Sequence, residues 1–468
     1  MSFAHVGNLG TNSTKTTVGS DQEVTLVVTL AASVAVDQIV MVWLGADSTY
    51  NAGAPGDDKT IYERMRCNDS QNNLYSSLVG GTDGQSLIYA MGAIFITRVR
   101  NALSAGDTIT CRLRAVTGGG VRCMSVEEFD CNPNLRWAAC DPGPVVVTTR
   151  AADPAGISRA DLESSREYMI VHFLACEGPN TDAYTWDADY TQITGAGTTG
   201  GAADTNIHIR GGFRIVSGIT SDTVNVTSDT ADRDYTQGMA VLSEVPVDLT
   251  FPRTPLRDDF NRANEDPLSK GGEWISTLCA AGPSGATPRF LRVLSNVAAG
   301  SVATTLGGSW FAEVFPGGQG EVWSTVAVAG GRTIIYNGSG CANTATVDGL
   351  AAGWTLFANG TNAGDYITLG SAGFTGGVDQ MRLRLWLTMA AGRKFGIRRK
   401  GTDLHLWVDW DGSWIWVAAL HGTGILAGFN SGGKLGLVHT QGATRTDDFG
   451  GGPIQITRNL LPFLHVGP

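Results

Sequence analysis

The sequence predicts an all-β chain, and three observations carry that expectation. Sixty-two of the 468 residues are glycine, in a background rich in Thr and Val; only 16% are charged; and apolar residues come in short runs or alternation, with almost no sustained 3.6-residue period. Such a chain forms many short strands joined by tight turns. At roughly 100–200 residues per domain, its length suggests about three domains.

A first region, residues 1–145, opens with EVTLVVTL (23–30) and DQIVMVWLGAD (37–47), two apolar runs of strand length. AIFITRVRNAL (93–103), the turn SAGD (104–107), TITCRLRAV (108–116) and, past a GGG turn, VRCMSVEEFD (121–130) follow. Strands separated by turn signals every ~8–12 residues are the pattern of an Ig-like β-sandwich. A second region, residues 146–249, repeats the order of elements. EYMIVHFLACEG (167–178) stands for DQIVMVWLGAD, NIHIRGGFRIVSG (206–218) for AIFITRVRNAL, SDTVNVTSD (221–229) for GDTITCRLR, and TQGMAVLSEVP (236–246) for VRCMSVEEFD. Matched elements in one order point to a duplicated sandwich, so the expectation is two tandem Ig-like units. Between the matched strands, SRADLESSREY (158–168) has the spacing of a capping box and is expected to form one short helix. The proline-rich VPVDLTFPRTPL (245–256) reads as a linker, because closely spaced prolines cannot donate to a sheet ladder. A third region, residues 250–468, is richer in Trp and Gly, runs as short strands, and ends in the coil-like PIQITRNLLPFLHVGP.

Charge and cysteine usage narrow the function classes. The net charge is −11 with a pI of about 5.1, and no segment gathers a Lys/Arg stripe interleaved with aromatics, so nucleic acid is not an expected partner. No basic stretch leads into an apolar leader, and no run of about 18 apolar residues occurs, so neither an export signal nor a membrane span is expected. The eight cysteines (67, 111, 123, 131, 140, 176, 279, 341) form no CxxC and no Cys/His cluster, which removes zinc and thioredoxin-type chemistry. Cys131 and Cys140 bracket the turn-rich CNPNLRWAAC; they read either as a small disulfide loop or, preferably, as buried thiols packed like small hydrophobes.

The segment LHLWVDWDGSWIWVAAL (404–420) places four tryptophans within ten positions. Asp411-Gly412 between two alternating runs is a strong signal for a two-residue type I′ hairpin. That register pairs Trp410 with Ser413, Asp409 with Trp414, Val408 with Ile415, Trp407 with Trp416, Leu406 with Val417 and His405 with Ala418. Alternation then puts Leu406, Val408, Trp410, Ile415 and Val417 on a core face. His405, Trp407, Asp409, Trp414 and Trp416 share the other. Three indoles beside a carboxylate and an imidazole suit a surface where pyranose faces stack on rings while polar groups hold hydroxyls. The competing reading is that these rings lie against a loop, a neighbouring domain or another copy of the chain.

Three short motifs carry a family resemblance. DDFNRANEDPLSKGGEW (258–274) and TRTDDFGGG (444–452), enclosing GIRRKGTDLHLWVDWDG (396–412), resemble the concanavalin A-like, or laminin-G-like, jelly roll over residues 252–460. The resemblance implies that the opening and closing DDF strands pair. Tandem sandwiches followed by this jelly roll are similar to accessory virion proteins of tailed bacteriophages, either minor tail proteins or capsid decorations. It implies a virion protein made in the bacterial host cytoplasm and released by lysis, with other virion proteins, further copies of itself and a host-surface glycan as partners. Laminin-G-like relatives sometimes bind calcium, and Asp258, Asp259, Asp447 and Asp448 converge if those strands pair. The other reading of these acids is Asx caps and salt bridges, Asp259 with Arg262 and Asp448 with Arg445.

Enzymatic chemistry is not expected. A retaining glycoside hydrolase needs two carboxylates about 5–5.5 Å apart, and the family's E-x-D-x-x-E strand is absent; the nearest acid cluster, EEFD (127–130), belongs to the first region. No G-x-S-x-G elbow occurs and the seven histidines are scattered, so no Ser/His arrangement is evident. His405 beside Asp409 reads more simply as a surface pair than as a general base. In DAYTWDADYTQI (182–193), Tyr184, Trp186 and Tyr190 read either as a second contact surface or, preferably, as aromatics closing one end of a sandwich core. Glycine- and threonine-rich strands near the start of the chain could also pair edge to edge with a neighbour.

Overall fold

The computed structural model describes residues 3–16, 23–49, 65–82, 89–114, 117–141, 145–149, 154–202, 205–229, 233–275, 291–300, 307–311, 319–328, 332–338, 349–355, 366–372, 380–387, 391–422, 434–439 and 445–454. Cys279, Cys341 and the tail beyond 454 lie outside these. The described chain is β-structure throughout, with one 3-10 turn at Lys270–Gly272. None of its helices is long and apolar enough to cross a membrane.

The first region contributes β1 (Phe3–Thr14), β2 (Glu23–Thr29), β3 (Ile39–Thr49), β4 (Met65–Asp69), β5 (Ser76–Thr82), β6 (Tyr89–Arg98), β7 (Thr108–Arg114) and β8 (Thr117–Cys131). They form a sheet in the order β1-β8-β3-β6-β5, faced by the small sheet β2-β7-β4. The second region contributes β10 (Val145–Thr149), β11 (Ile157–Arg159), β12 (Glu167–Glu177), β13 (Tyr184–Trp186), β14 (Thr191–Gln192), β15 (Ala196–Gly197), β16 (Ile207–Ser217), β17 (Asp222–Val224), β18 (Val226–Ser228) and β19 (Tyr235–Pro246). Here β10 pairs β19, β19-β12-β16-β14 continues the sheet, and the outer strands pair as β11-β17 and β13-β18. The main-sheet orders β1-β8-β3-β6 and β10-β19-β12-β16 correspond, while the outer strands are one three-stranded sheet in the first region and two separate pairs in the second. The order differs from the Ig sandwich, ABED over CFG: the first strand pairs with the last and the third lies between the last and the sixth, the interleaved winding of a jelly roll. Strand spacing alone could not separate these, because both windings alternate strands and turns at the same interval.

The two large sheets pack face to face, which explains the continuous apolar runs. In β3, Met41 and Trp43 enter the shared core while Val40, Val42 and Leu44 face β2-β7-β4. In β12, Met169, Val171 and Phe173 meet that shared core from the other side, and Tyr168, Ile170 and Leu174 face outward to β11–β18. Strands covered on both faces lose polar alternation. Phe173 is seated on glycine: a Cβ at Gly92 would lie 2.3 Å from its ring and one at Gly238 2.5 Å.

The expected helix at 158–168 is not formed. Ile157 and Arg159 pair with Val224 and Asp222, Asp161 takes a left-handed φ of 64°, and the Glu163 amide donates to the Tyr168 hydroxyl at 2.6 Å, so tertiary pairing overrides the capping signal. Cys131 and Cys140 are free, buried thiols, as are 67, 111, 123 and 176. Tyr184, Trp186 and Tyr190 are buried in the outer core of the second region.

The strand β9 (Leu135–Asp141) leaves the first region and pairs with β19. The third region adds β20 (Leu256–Asp258), β21 (Trp274–Ile275), β22 (Leu291–Leu294), β23 (Val297–Gly300), β24 (Gly307–Phe311), β25 (Gln319–Val328), β26 (Arg332–Gly338), β27 (Gly349–Thr355), β28 (Tyr366–Ala372), β29 (Gln380–Trp386), β30 (Lys394–Lys400), β31 (Asp403–Trp410), β32 (Ser413–Gly422), β33 (Lys434–His439) and β34 (Arg445–Pro453). One sheet runs β32-β31-β30-β25-β34-β23-β22 and the other β29-β28-β27-β26-β33-β24-β21. The opening and closing DDF strands do pair, β20 with β34. Both sheets continue across the linker: Ser77 and Ser76 of β5 pair with Arg384 and Leu385 of β29, and Ala139 to Asp141 of β9 run parallel to Leu420 to Gly422 of β32. One apolar core extends from Phe3 through Trp43 and Phe173 to Leu406 and Phe449.

Candidate functional site

The hairpin forms as the Asp-Gly signal requires. Asp411 and Gly412 have φ of 54° and 82°, the two left-handed residues of a type I′ turn. Pairing follows expectation from Trp410–Ser413 to Trp407–Trp416; then a bulge shifts it, so that Leu406 opposes Ala418 and His405 opposes Ala419. Val417 is the additional residue, and both Val417 and Ala418 reach the main core with Leu406 and Val408. The break in alternation at Val417-Ala418-Ala419 was its sequence signal.

The second face is covered in large part by the linker. Phe251 lies flat on Trp407, with ring centroids 5.1 Å apart and planes 5° from parallel, and meets Trp414 edge-on at 4.8 Å. Trp407 is 1% exposed and does not offer that face to a sugar. Gly396, opposite Trp407 in β30, makes room, since a Cβ there would lie 2.5 Å from the Phe251 ring.

A buried ion pair clamps the cover down. The Arg398 guanidinium sits 5.3 Å from the Phe251 ring and 5.6 Å from Trp407. Its Nε donates to Glu321 Oε1 at 2.6 Å and its Nη1 to the Asp248 carbonyl at 2.8 Å; Nη2 reaches the Thr250 carbonyl and Glu321. The other Glu321 oxygen accepts from the Arg253 amide at 2.7 Å and the Thr254 amide at 3.1 Å. Every charge taken from water here is met by an opposite charge or a backbone dipole. The backbone of the proline-rich segment is thus held at Asp248, Thr250, Arg253 and Thr254.

His405 is buried, and desolvation holds its imidazole down to about 4. Its Nδ1 accepts from the Trp416 indole at 3.3 Å, so this ring positions Trp416. Asp409 is half-buried near the hairpin tip, opposite Trp414. Trp416 is met edge-on by Trp137 at 5.8 Å, and the Arg136 guanidinium lies 5.9 Å over it.

Trp414 and Trp416 keep part of their surface open, to a cavity of about 260 Å³. Its opposite wall comes from the first region, Val36, Asp37, Asn72 to Leu74 and Arg98 to Arg100, with Arg136 and the linker's Leu249 at the sides. Leu249 is 58% exposed. Arg98 donates to Asp37 at 2.9 Å and to the Leu135 carbonyl at 2.6 Å, and the Asn73 side-chain oxygen accepts from the Arg100 and Asn101 amides, both at 2.8 Å. This wall was not legible in the sequence, because its residues are far from the hairpin along the chain.

The acidic quartet behaves differently. Asp258 is buried and committed: it pairs with Arg262 at 2.6 Å and accepts from the Trp274 indole at 2.7 Å and the Phe260 amide at 2.8 Å. Asp259 caps its own turn through the Asn261 amide, and Asp448 accepts from Thr325. Asp447 is raised from the usual carboxylate range by desolvation and by Asp448 and Asp259. The salt bridge to Arg262 is therefore made by Asp258 rather than Asp259. Among the described residues no three His, Cys, Asp or Glu side chains are grouped as a metal site; Asp258 is committed to Arg262, while Asp259, Asp447 and Asp448 lie close enough to raise Asp447.

Two further polar clusters join residues far apart along the chain. Glu127, inside β8 rather than at a turn, meets His5 at 3.0 Å and Asn8 at 2.8 Å. His421 lies between Asp403, at 2.6 Å, and Glu163, at 3.4 Å.

No family model matches the sequence, and no curated protein matches it. Among solved structures the chain is similar to the exoplasmic/lumenal domain of VIP36. The likeness to its Ca2+/Man2-bound form has 11% identity and a TM-score of 0.30 over 39% of this chain and 88% of that one. For the metal-free form the values are 11%, 0.29, 40% and 94%. Neither figure is high enough to transfer a ligand.

Proposed function

We propose that the chain is a non-enzymatic structural protein of a tailed-bacteriophage particle, in a minor tail position, and that it contributes to recognition of a host-surface glycan. One observation carries the binding part: Trp414 and Trp416 open onto a single cavity whose other wall bears arginine, aspartate and asparagine side chains. Rings with polar groups around them match the two-sided chemistry of a sugar. The site is the cleft between first region and hairpin, reduced from the expected face by the seal over Trp407. The virion placement rests on the resemblance of tandem sandwiches followed by a concanavalin A-like jelly roll to accessory virion proteins, and is tested by locating the chain in an intact-particle reconstruction.

Single-site affinity should be weak, on the order of millimolar to micromolar, with multiple copies supplying avidity. Titration calorimetry against bacterial surface oligosaccharides should show binding that Trp414→Ala weakens at least ~10-fold, about 1.4 kcal/mol, with an unchanged circular dichroism spectrum. Wild-type affinity in that variant sinks the cleft reading. Release of sugars from cell-wall polysaccharide would overturn the non-enzymatic part.

A second reading is a capsid decoration protein that braces the shell and binds no ligand. The stacking of Phe251 on Trp407 and the Arg398–Glu321 clamp favour it, because they spend the richest part of the tryptophan cluster on internal cohesion.

A further inference from the structure

Resting on the cleft reading above, we propose that the cleft selects anionic saccharides, chains of sugars bearing a carboxylate, over neutral ones. The chain as a whole carries a charge of −11, yet the cavity is lined by three arginines, 98, 100 and 136, against one acid, Asp37. That acid is already engaged by Arg98 at 2.9 Å. Net positive charge in a partly desolvated cleft attracts anions well beyond what the same charges do on open surface.

The hydrogen-bond inventory points the same way. The Trp407 indole N–H is buried, belongs to a residue lining this cavity, and has no acceptor among the described residues. Arg100, which lines the cleft, lies 5.8 Å from the Trp410 ring, and Arg393, outside the lining, meets that ring at 4.8 Å. The unmet indole group is a donor. Wall acceptors are partly engaged: one Asp37 oxygen accepts from Arg98, and the Asn73 side-chain oxygen accepts from two backbone amides. Asn72 at the rim can serve either way. A carboxylate only accepts, so it satisfies donors without bringing protons that need acceptors of their own; a neutral hydroxyl brings one each time.

The test compares tetragalacturonate with its fully methyl-esterified form, equal in ring number and stacking surface but uncharged, with maltotetraose as a neutral reference. The expected result is at least ~10-fold tighter binding of the acid than of its ester, reduced by 0.5 M salt and by Arg100→Gln, whose exposed side chain can be changed without disturbing the fold. Equal binding of acid and ester, with Trp414→Ala still weakening both, overturns the charge selection while leaving the cleft reading intact. A preference for the acid that survives both Arg100→Gln and Trp414→Ala places binding elsewhere and overturns the proposal. If none of the three binds, the cleft reading fails and the inference falls with it.

Discussion

At Trp407 one side chain shows how packing takes over a surface that strand alternation alone would leave open. Its ring is stacked by Phe251 and capped by Arg398, so Trp407→Ala should cost about 3–5 kcal/mol of stability, as for other buried aromatics, visible in the urea midpoint. Buried histidines set a pH dependence. Desolvation lowers His172 and His405 to about 4 and His208 to about 3. The unfolded chain takes up these protons near pH 6.5 and the folded chain does not, so their stabilising effect is complete above about pH 6.5 and is lost as pH falls toward 4. The shifts correspond to on the order of 3 to 5 kcal/mol each. Denaturation midpoints at pH 7, 5.5 and 4.5 should decline in that order; a flat profile contradicts the burial of these imidazoles. The types and positions of the tryptophans were readable in the sequence, but their exposure was not. What covers Trp407 depends on Phe251, 156 positions away, and on the space left by Gly396.

Among elements, the hairpin was the most legible because its turn chemistry is local: two left-handed residues fix the register of everything above the bulge. A side chain at Gly412 would meet nothing within 4 Å, so Gly412→Val tests backbone conformation alone. It should lower stability by about 1–2 kcal/mol, with Gly412→Asn recovering much of that; equal effects of the two would contradict the type I′ assignment. The paired strands of the duplicated regions were readable from their apolar runs. Their winding was not, because β8 lies beside both β1 and β3 by long-range pairing that leaves no local mark. The helix expected at 158–168 failed for the same reason, its residues being drawn into pairing with β17.

Across the whole molecule, hydrogen-bonded sheets cross the linker at β5–β29 and β9–β32, and one core spans all three regions. A fragment ending at residue 249 should therefore melt well below the intact chain and self-associate through the strand edges it exposes; a fragment that stays monomeric and melts like the parent would contradict this continuity. The same packing holds the first region against the hairpin and so creates the cleft, which no segment contains alone. The most direct measurement is a crystal structure of the full chain with saturating oligosaccharide. A sugar is expected in the cleft, against Trp414 and Trp416, beside the Arg98, Arg100 and Arg136 guanidinium groups. A sugar bound on any other surface, with the cleft empty, would contradict it.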